Sequence, residues 1–268
     1  MNPSFHFRML FFLFVGSLYA QQIDSIPVHD TFQIDSKVVG EVRTIHVWTP
    51  PGYGVSTDSL PVVYMPDGGI EEDFPHIANT LAALIAEQRI PPVILVGIAN
   101  TQRRRDLTGP TDVEQDKSIA PVVGGSEKFR GFIQIELFPE IDSRYRTLPY
   151  KAIIGESLAG LFIVETFFLQ PELFDAYIAM DPSLWWNDHQ LVQTAATHLA
   201  QGPYDGKRLW FAGSKAKDIA PYTKELAAIL KVANRQMLQW QFSDEPKEKH
   251  QTIYRATKEK ALIWTLNP

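Results

Sequence analysis

The sequence predicts an α/β fold with a mainly parallel central sheet, an antiparallel hairpin at its N-terminal edge and helices on both faces. Strand-length apolar runs alternate with helix-length runs from Pro61 to Leu266, the order expected of repeated parallel units. The run Pro92–Ile98 is apolar without alternation, as in a strand buried on both faces. The 268 residues, 45% hydrophobic and 21% charged with no low-complexity tract, suffice for one large core.

The elements are predicted in order as follows. Val28–Ile34 and Glu41–Thr49 read as the hairpin. A strand at Pro61–Met65 ends in Pro66-Asp67-Gly68-Gly69, and a helix follows over Ile77–Gln88. After the buried strand, residues 100–124 form a long polar loop, a length that compact domains usually keep for function. Glu127–Tyr145 reads as a helix, with Phe132, Ile133, Ile135, Leu137, Phe138 and Ile141 on or near one face. The strand Tyr150–Ile154 runs into Gly155-Glu156-Ser157-Leu158-Ala159-Gly160 and a helix through Leu169. Strand Ala176–Met180, a loop with Trp185-Trp186 and a helix over Gln190–Ala200 come next. Strand Arg208–Phe211, helix Tyr222–Val232, strand Met237–Phe242, a charged loop to His250 and a helix over Ala256–Leu266 complete the chain.

The N-terminus has its own pattern. Arg8 precedes an apolar stretch from Met9 to Leu18, and Tyr19-Ala20 meets the polar Gln21-Gln22. This is the layout of a secretory signal peptide cut after Ala20, which leaves residues 21–268 as one domain and predicts a periplasmic or secreted protein. Leu18 is larger than the residue usual three places before a cut, so the alternative is an uncleaved anchor. The stretch is too short to span a bilayer by itself, and no stable membrane insertion is expected after cleavage.

Composition narrows the chemistry. A net charge of −6 disfavours a nucleic-acid partner, and the run Arg103-Arg104-Arg105 fits a solvated loop or an anionic group on a substrate better. With no cysteine there is no thiolate catalysis and no cysteine metal site, and no His/Asp cluster has metal spacing, so no metal or cofactor is expected.

A serine hydroxyl becomes a useful nucleophile only beside a base. The α/β-hydrolase solution sets it on a strained strand-to-helix turn that requires tiny residues two before and two after it. Gly155 and Ala159 meet that need around Ser157, giving G-x-S-x-A, where the pattern usually has a second glycine. The base should lie late in the chain. Of seven histidines, His189, His198 and His250 follow the serine. His250 lies after the last strand and is chosen, while His189 and His198 read as surface or packing residues. The acid should lie between serine and histidine. Asp218, in the loop after Arg208–Phe211, is the first choice and Asp181 the second. Asp244, Glu245 or Glu248, or a Ser–His dyad without an acid, stay open. Two backbone N–H groups are needed for an oxyanion: Leu158, following the nucleophile, and Gly68 or Gly69 from the loop after the third strand. Trp185 and Trp186 fit an acyl or sugar platform, or else core packing, and Arg105 is a candidate contact for an anionic substrate.

These stretches together resemble the family of α/β-hydrolases that includes esterase D, the ferric-enterobactin (Fes-type) and IroE-type siderophore esterases, feruloyl and acetyl-xylan esterases, and antigen 85 mycolyltransferases. The resemblance rests on Pro61–Gly68, on Val96–Asn100 with Arg105-Asp106-Leu107-Thr108, on Glu136–Thr147, on Pro182–Asn187 and on His250. It lies nearest to the bacterial IroE-like branch and implies a serine esterase on Ser157 and His250 acting on a small-molecule ester, with the substrate and oligomeric state unread. An acyltransferase, or a binding protein that kept the fold without catalysis, are the rival expectations.

Overall fold

A computed structural model describes residues 24–267. The predicted signal segment, residues 1–20, lies outside the described residues.

Eight strands form one sheet, and all eight predicted strands are present: β1 (Asp30–Ser36), β2 (Glu41–Trp48), β3 (Leu60–Met65), β4 (Ile94–Ile98), β5 (Thr147–Glu156), β6 (Ala176–Met180), β7 (Arg208–Gly213) and β8 (Gln239–Asp244). Their spatial order is β1-β2-β4-β3-β5-β6-β7-β8. β1, β2 and β4 pair antiparallel, and every neighbour from β4 onward is parallel. β1 begins later than the predicted Val28, and Gly40 closes the β1–β2 turn at φ 73°, a conformation glycine adopts without steric penalty.

The helices are α1 (Phe74–Ala86), the single turns α2 (Arg103–Asp106) and α3 (Glu114–Lys117), α4 (Ser126–Phe132), α5 (Phe138–Arg144), α6 (Leu158–Leu169), α7 (Trp186–Gln201), α8 (Ala220–Ala233) and α9 (His250–Leu266). The predicted helix Glu127–Tyr145 is α4 and α5 joined by a π turn over Ile133–Leu137. The cause is Pro139, which has no N–H to donate and whose ring would crowd the carbonyl of Ile135 in an unbroken α-helix.

Side chains alternate across the strands, so each strand feeds two cores. Tyr64, Ile153, Tyr177 and Phe211 pack under α4–α8, whereas Val63, Ile154, Ile178 and Trp210 pack under α1 and α9. The polar loop 100–124 is braced from within. The buried Arg43 of β2 reaches Asp106 at 2.5 Å and lies over the Phe129 and Phe132 rings at 5.3 and 5.8 Å. Among the described residues, no helix is long and apolar enough to cross a membrane.

Candidate active site

The carboxyl ends of the parallel strands carry the polar residues singled out above, the edge at which open α/β sheets bind ligands. β5 ends at Glu156 and α6 begins at Leu158, so Ser157 alone makes the turn, at φ 60° and ψ −117°. A non-glycine residue there is strained by on the order of 1–3 kcal/mol and needs fixed surroundings. Three backbone hydrogen bonds supply them. The Ser157 N–H donates to Met180 O at 3.0 Å, and the Ser157 carbonyl accepts from Ser183 N at 3.0 Å and Leu161 N at 2.9 Å. Steric room comes from Gly155, where an added Cβ would stand 2.6 Å from the Ala159 Cβ. The alanine of G-x-S-x-A therefore fits because its partner two residues before the serine is a glycine.

Ser157 Oγ lies 3.1 Å from His250 Nε2, and His250 Nδ1 lies 2.7 Å from Asp181 Oδ2. The favoured acid therefore needs correction: the carboxylate on the histidine is Asp181, not Asp218. The backbone explains why. Asp181 leaves β6 at φ 46°, with its N–H donated to Ala212 O at 3.0 Å, a bend that turns the side chain inward. There it is fully buried and accepts from Ser214 N at 2.6 Å and Ser214 Oγ at 2.8 Å as well as facing the imidazole. Asp218 is exposed on the cleft wall before α8, and its charge reaches His250 only through space. The Asp181 contact is the main cause that raises the His250 pKa above 6.5, partly offset by burial. His250 is not in a loop as predicted. It is the first residue of α9, which starts early because Thr252 Oγ1 accepts from Lys249 N at 3.0 Å.

The other candidates divide. Leu158 is the first residue of α6, so its N–H has no partner within the helix and points out of the helix end beside Ser157. The Gly68 N–H is spent on Ile98 O at 3.0 Å, and the Gly69 N–H on the Glu72 carboxylate at 2.7 Å. Gly68 is a glycine for packing: a Cβ there would lie 2.3 Å from Ile98 N. Trp185 lines the cleft, but Trp186 is buried and donates Nε1–H to Gly109 O at 3.0 Å. Arg105 is turned away into Glu41 at 2.7 Å and Asp106 at 2.7 Å, and Arg103 clamps Asp67 at 2.6 and 2.7 Å. Arg103 and Arg105 thus brace loops rather than lining the cleft. His198 stacks on Phe168 and His189 on Tyr222, both packing roles.

The cleft over Ser157 has a volume of about 430 Å³ and is bounded by Ser183, Trp185, Lys215, Ile219 and Lys249. Its two lysines escaped the sequence reading because they flank functional loops without forming a run. The loops are cross-linked by Lys215 N to Glu248 O at 3.1 Å and Glu245 N to Gly213 O at 2.8 Å. A nucleophile-geometry serine, a histidine and a buried acid at one cleft can activate a hydroxyl for attack on a carbonyl.

Residues 36–266 match the family described as Putative esterase, from the end of β1 to the end of α9. The chain belongs to that family. Among its relatives, the ferri-bacillibactin esterase BesA of Bacillus subtilis is 28% identical over 263 residues, covering 85% of this chain and 86% of that protein. An IroE-like serine hydrolase from Shewanella oneidensis superposes with a TM-score of 0.80 at 28% identity, covering 88% of this chain and 79% of that one. The enterobactin esterase FES from Shigella flexneri, at 19% identity and a TM-score of 0.69, covers 90% of this chain and 59% of its own, and shares the α/β-hydrolase fold.

The contact between Gly155 and Ala159 can be tested by a double-mutant cycle. Gly155→Ala is expected to destabilise the protein by about 1–3 kcal/mol through overpacking. Adding Ala159→Gly should return much of that loss, read as the urea midpoint of the three variants.

Proposed function

We propose that the protein is a serine esterase that hydrolyses a carboxylic ester through an acyl-enzyme on Ser157. The observation that carries this reading is the continuous path from Ser157 Oγ through His250 to the buried Asp181. His250 Nε2 takes the Ser157 proton while Oγ attacks the ester carbonyl. Asp181 keeps Nδ1 protonated and steadies the imidazolium. The Leu158 N–H at the start of α6 is one oxyanion donor. The second is Gly69, whose N–H is held only by a side chain that substrate can displace, unlike the strand-end bond of Gly68. The imidazolium then protonates the departing alcohol, and water, activated by His250, releases the acid.

For substrate we propose an ester of a siderophore. The relatives named above include a ferri-bacillibactin esterase and an enterobactin esterase, and Lys215 and Lys249 at the cleft suit an anionic ligand. Export under the signal segment would put this activity in the periplasm or outside the cell, and intact mass of the mature protein should begin at Gln21.

Ser157→Ala should abolish hydrolysis of a short-chain p-nitrophenyl ester, and full activity in that variant would remove the assignment. Asp181→Asn should lower kcat by on the order of 10³–10⁴-fold, with Asp218→Asn within a few-fold of wild type. The base works unprotonated, so wild-type kcat/KM should fall with decreasing pH through a midpoint above 6.5, the direction in which Asp181 moves His250. Against a panel of catecholate siderophore, feruloyl, acetyl-sugar and aryl esters, the siderophore should give the highest kcat/KM. Lys215→Ala or Lys249→Ala should raise its KM by roughly fivefold, as an exposed charge contact of about 1 kcal/mol allows, and leave the neutral aryl ester unchanged.

A further inference from the structure

The mechanism above makes no use of Glu156, although it immediately precedes the nucleophile. Its Oε1 is buried and has no hydrogen-bond partner among the described residues. As the second residue after Ile154 in β5, its side chain leaves the sheet on the same face, toward α1 and α9. On that face Ile154 shares a core with Phe74, Ile253 and Tyr254. The Tyr254 hydroxyl is also buried without a partner, so it does not donate to Glu156.

The charges around Glu156 come from four elements. His250, at the start of α9, favours the carboxylate, while Asp67 after β3, Asp73 before α1 and Asp181 after β6 oppose it. The cations beside Asp67 and Asp73 are themselves engaged. Arg103 is clamped on Asp67, and Lys258 Nζ lies 3.4 Å from His76 Nδ1, whose Nε2 faces Asp73 at 3.0 Å. Glu156 stands next to Ser157, whose Oγ lies 3.1 Å from His250 Nε2. It lies opposite Met180 in the β5–β6 register, one residue before the Asp181 that meets His250 Nδ1 at 2.7 Å. His250 is thus faced by Asp181 in contact and by Glu156 and Asp218 through space.

Resting on the reading of Ser157, His250 and Asp181 as the catalytic set, we propose that Glu156 is a positioning residue, a second acidic partner that acts on His250 through space from the α1–α9 side of the sheet. Burial, the largest cause, pushes its carboxyl up to about 8. Near neutral pH it is a neutral acid and leaves the imidazole to Asp181. On the alkaline side it becomes a carboxylate and favours the imidazolium that forms when His250 takes the Ser157 proton. The pair then titrates as a coupled unit, with two steps that belong to both groups.

Glu156→Gln keeps the shape and removes the charge. With labelled histidine, the His250 ring resonances of wild type should move in two steps, the second near pH 8, whereas Glu156→Gln should give a single step at lower pH. In kcat/KM for the aryl ester the variant should match wild type at pH 6.5 and fall roughly 3- to 10-fold below it above pH 9. Stability follows with the opposite sign. A carboxyl whose folded pKa lies above its unfolded value of 4.5 costs the folded state increasingly as pH rises from there to about 8, so the Glu156→Gln melting temperature should gain on wild type across that range. Glu156→Leu, which removes the polar head, should give the same single step. Identical His250 titrations in wild type and Glu156→Gln would overturn the proposal, as would a change seen in Glu156→Leu alone, which marks a packing role. The titration is read on the resting protein. Absent turnover with Ser157 unlabelled by a fluorophosphonate would overturn the esterase reading, while the His250 curves still decide the coupling.

Discussion

Between β5 and α6 the chain reverses over one residue, and the rest of the site is arranged to permit it. The near-contact of Gly155 with Ala159 lets strand and helix close at an angle that any Cβ on Gly155 would prevent. The strain at Ser157 is held by hydrogen bonds to Met180 and Ser183, which lie at either side of Asp181. The same short stretch of backbone therefore fixes both the serine and the acid. Their relative position is set by β5 and β6 pairing in register, Glu156 opposite Met180, and does not depend on a mobile loop.

Charge is handled by separating bracing from chemistry. Arg43, Arg103 and Arg105 spend their guanidinium groups on Asp106, Asp67 and Glu41, which ties the polar loop 100–124 to the edge of the sheet. The cations left facing the cleft are lysines on the loops after β7 and β8, the side from which His250 also comes. Breaking a buried pair such as Arg43–Asp106 strands an ion in the core, so the long loop is held more firmly than its composition suggests.

What was legible in the sequence follows from what local pattern can encode. The parallel strands and the helices between them announce themselves by period, and the serine turn by its small residues. Spacing does not separate Asp181 from Asp218, since both follow strands in the right interval, and only the inward bend at Asp181 and its bonds to Ser214 distinguish them. Gly68 and Arg105 look functional by residue type, yet a backbone crossing at Ile98 and the carboxylates of Glu41 and Asp106 account for them. These are contacts between residues far apart in the chain, invisible to spacing. Trp185 and Trp186 divide for the same reason, one at the cleft and one donating to Gly109.

The early start of α9 has a consequence for the direction of proton traffic. His250 occupies the first position of a 17-residue helix, where unpaired N–H groups concentrate partial positive charge. An imidazolium is disfavoured at that end, whereas the acids beside it favour one. The two influences oppose each other across a single ring. A base held by carboxylates alone would accept a proton and keep it. One that also begins a helix is left nearer to indifference between holding a proton and giving it up.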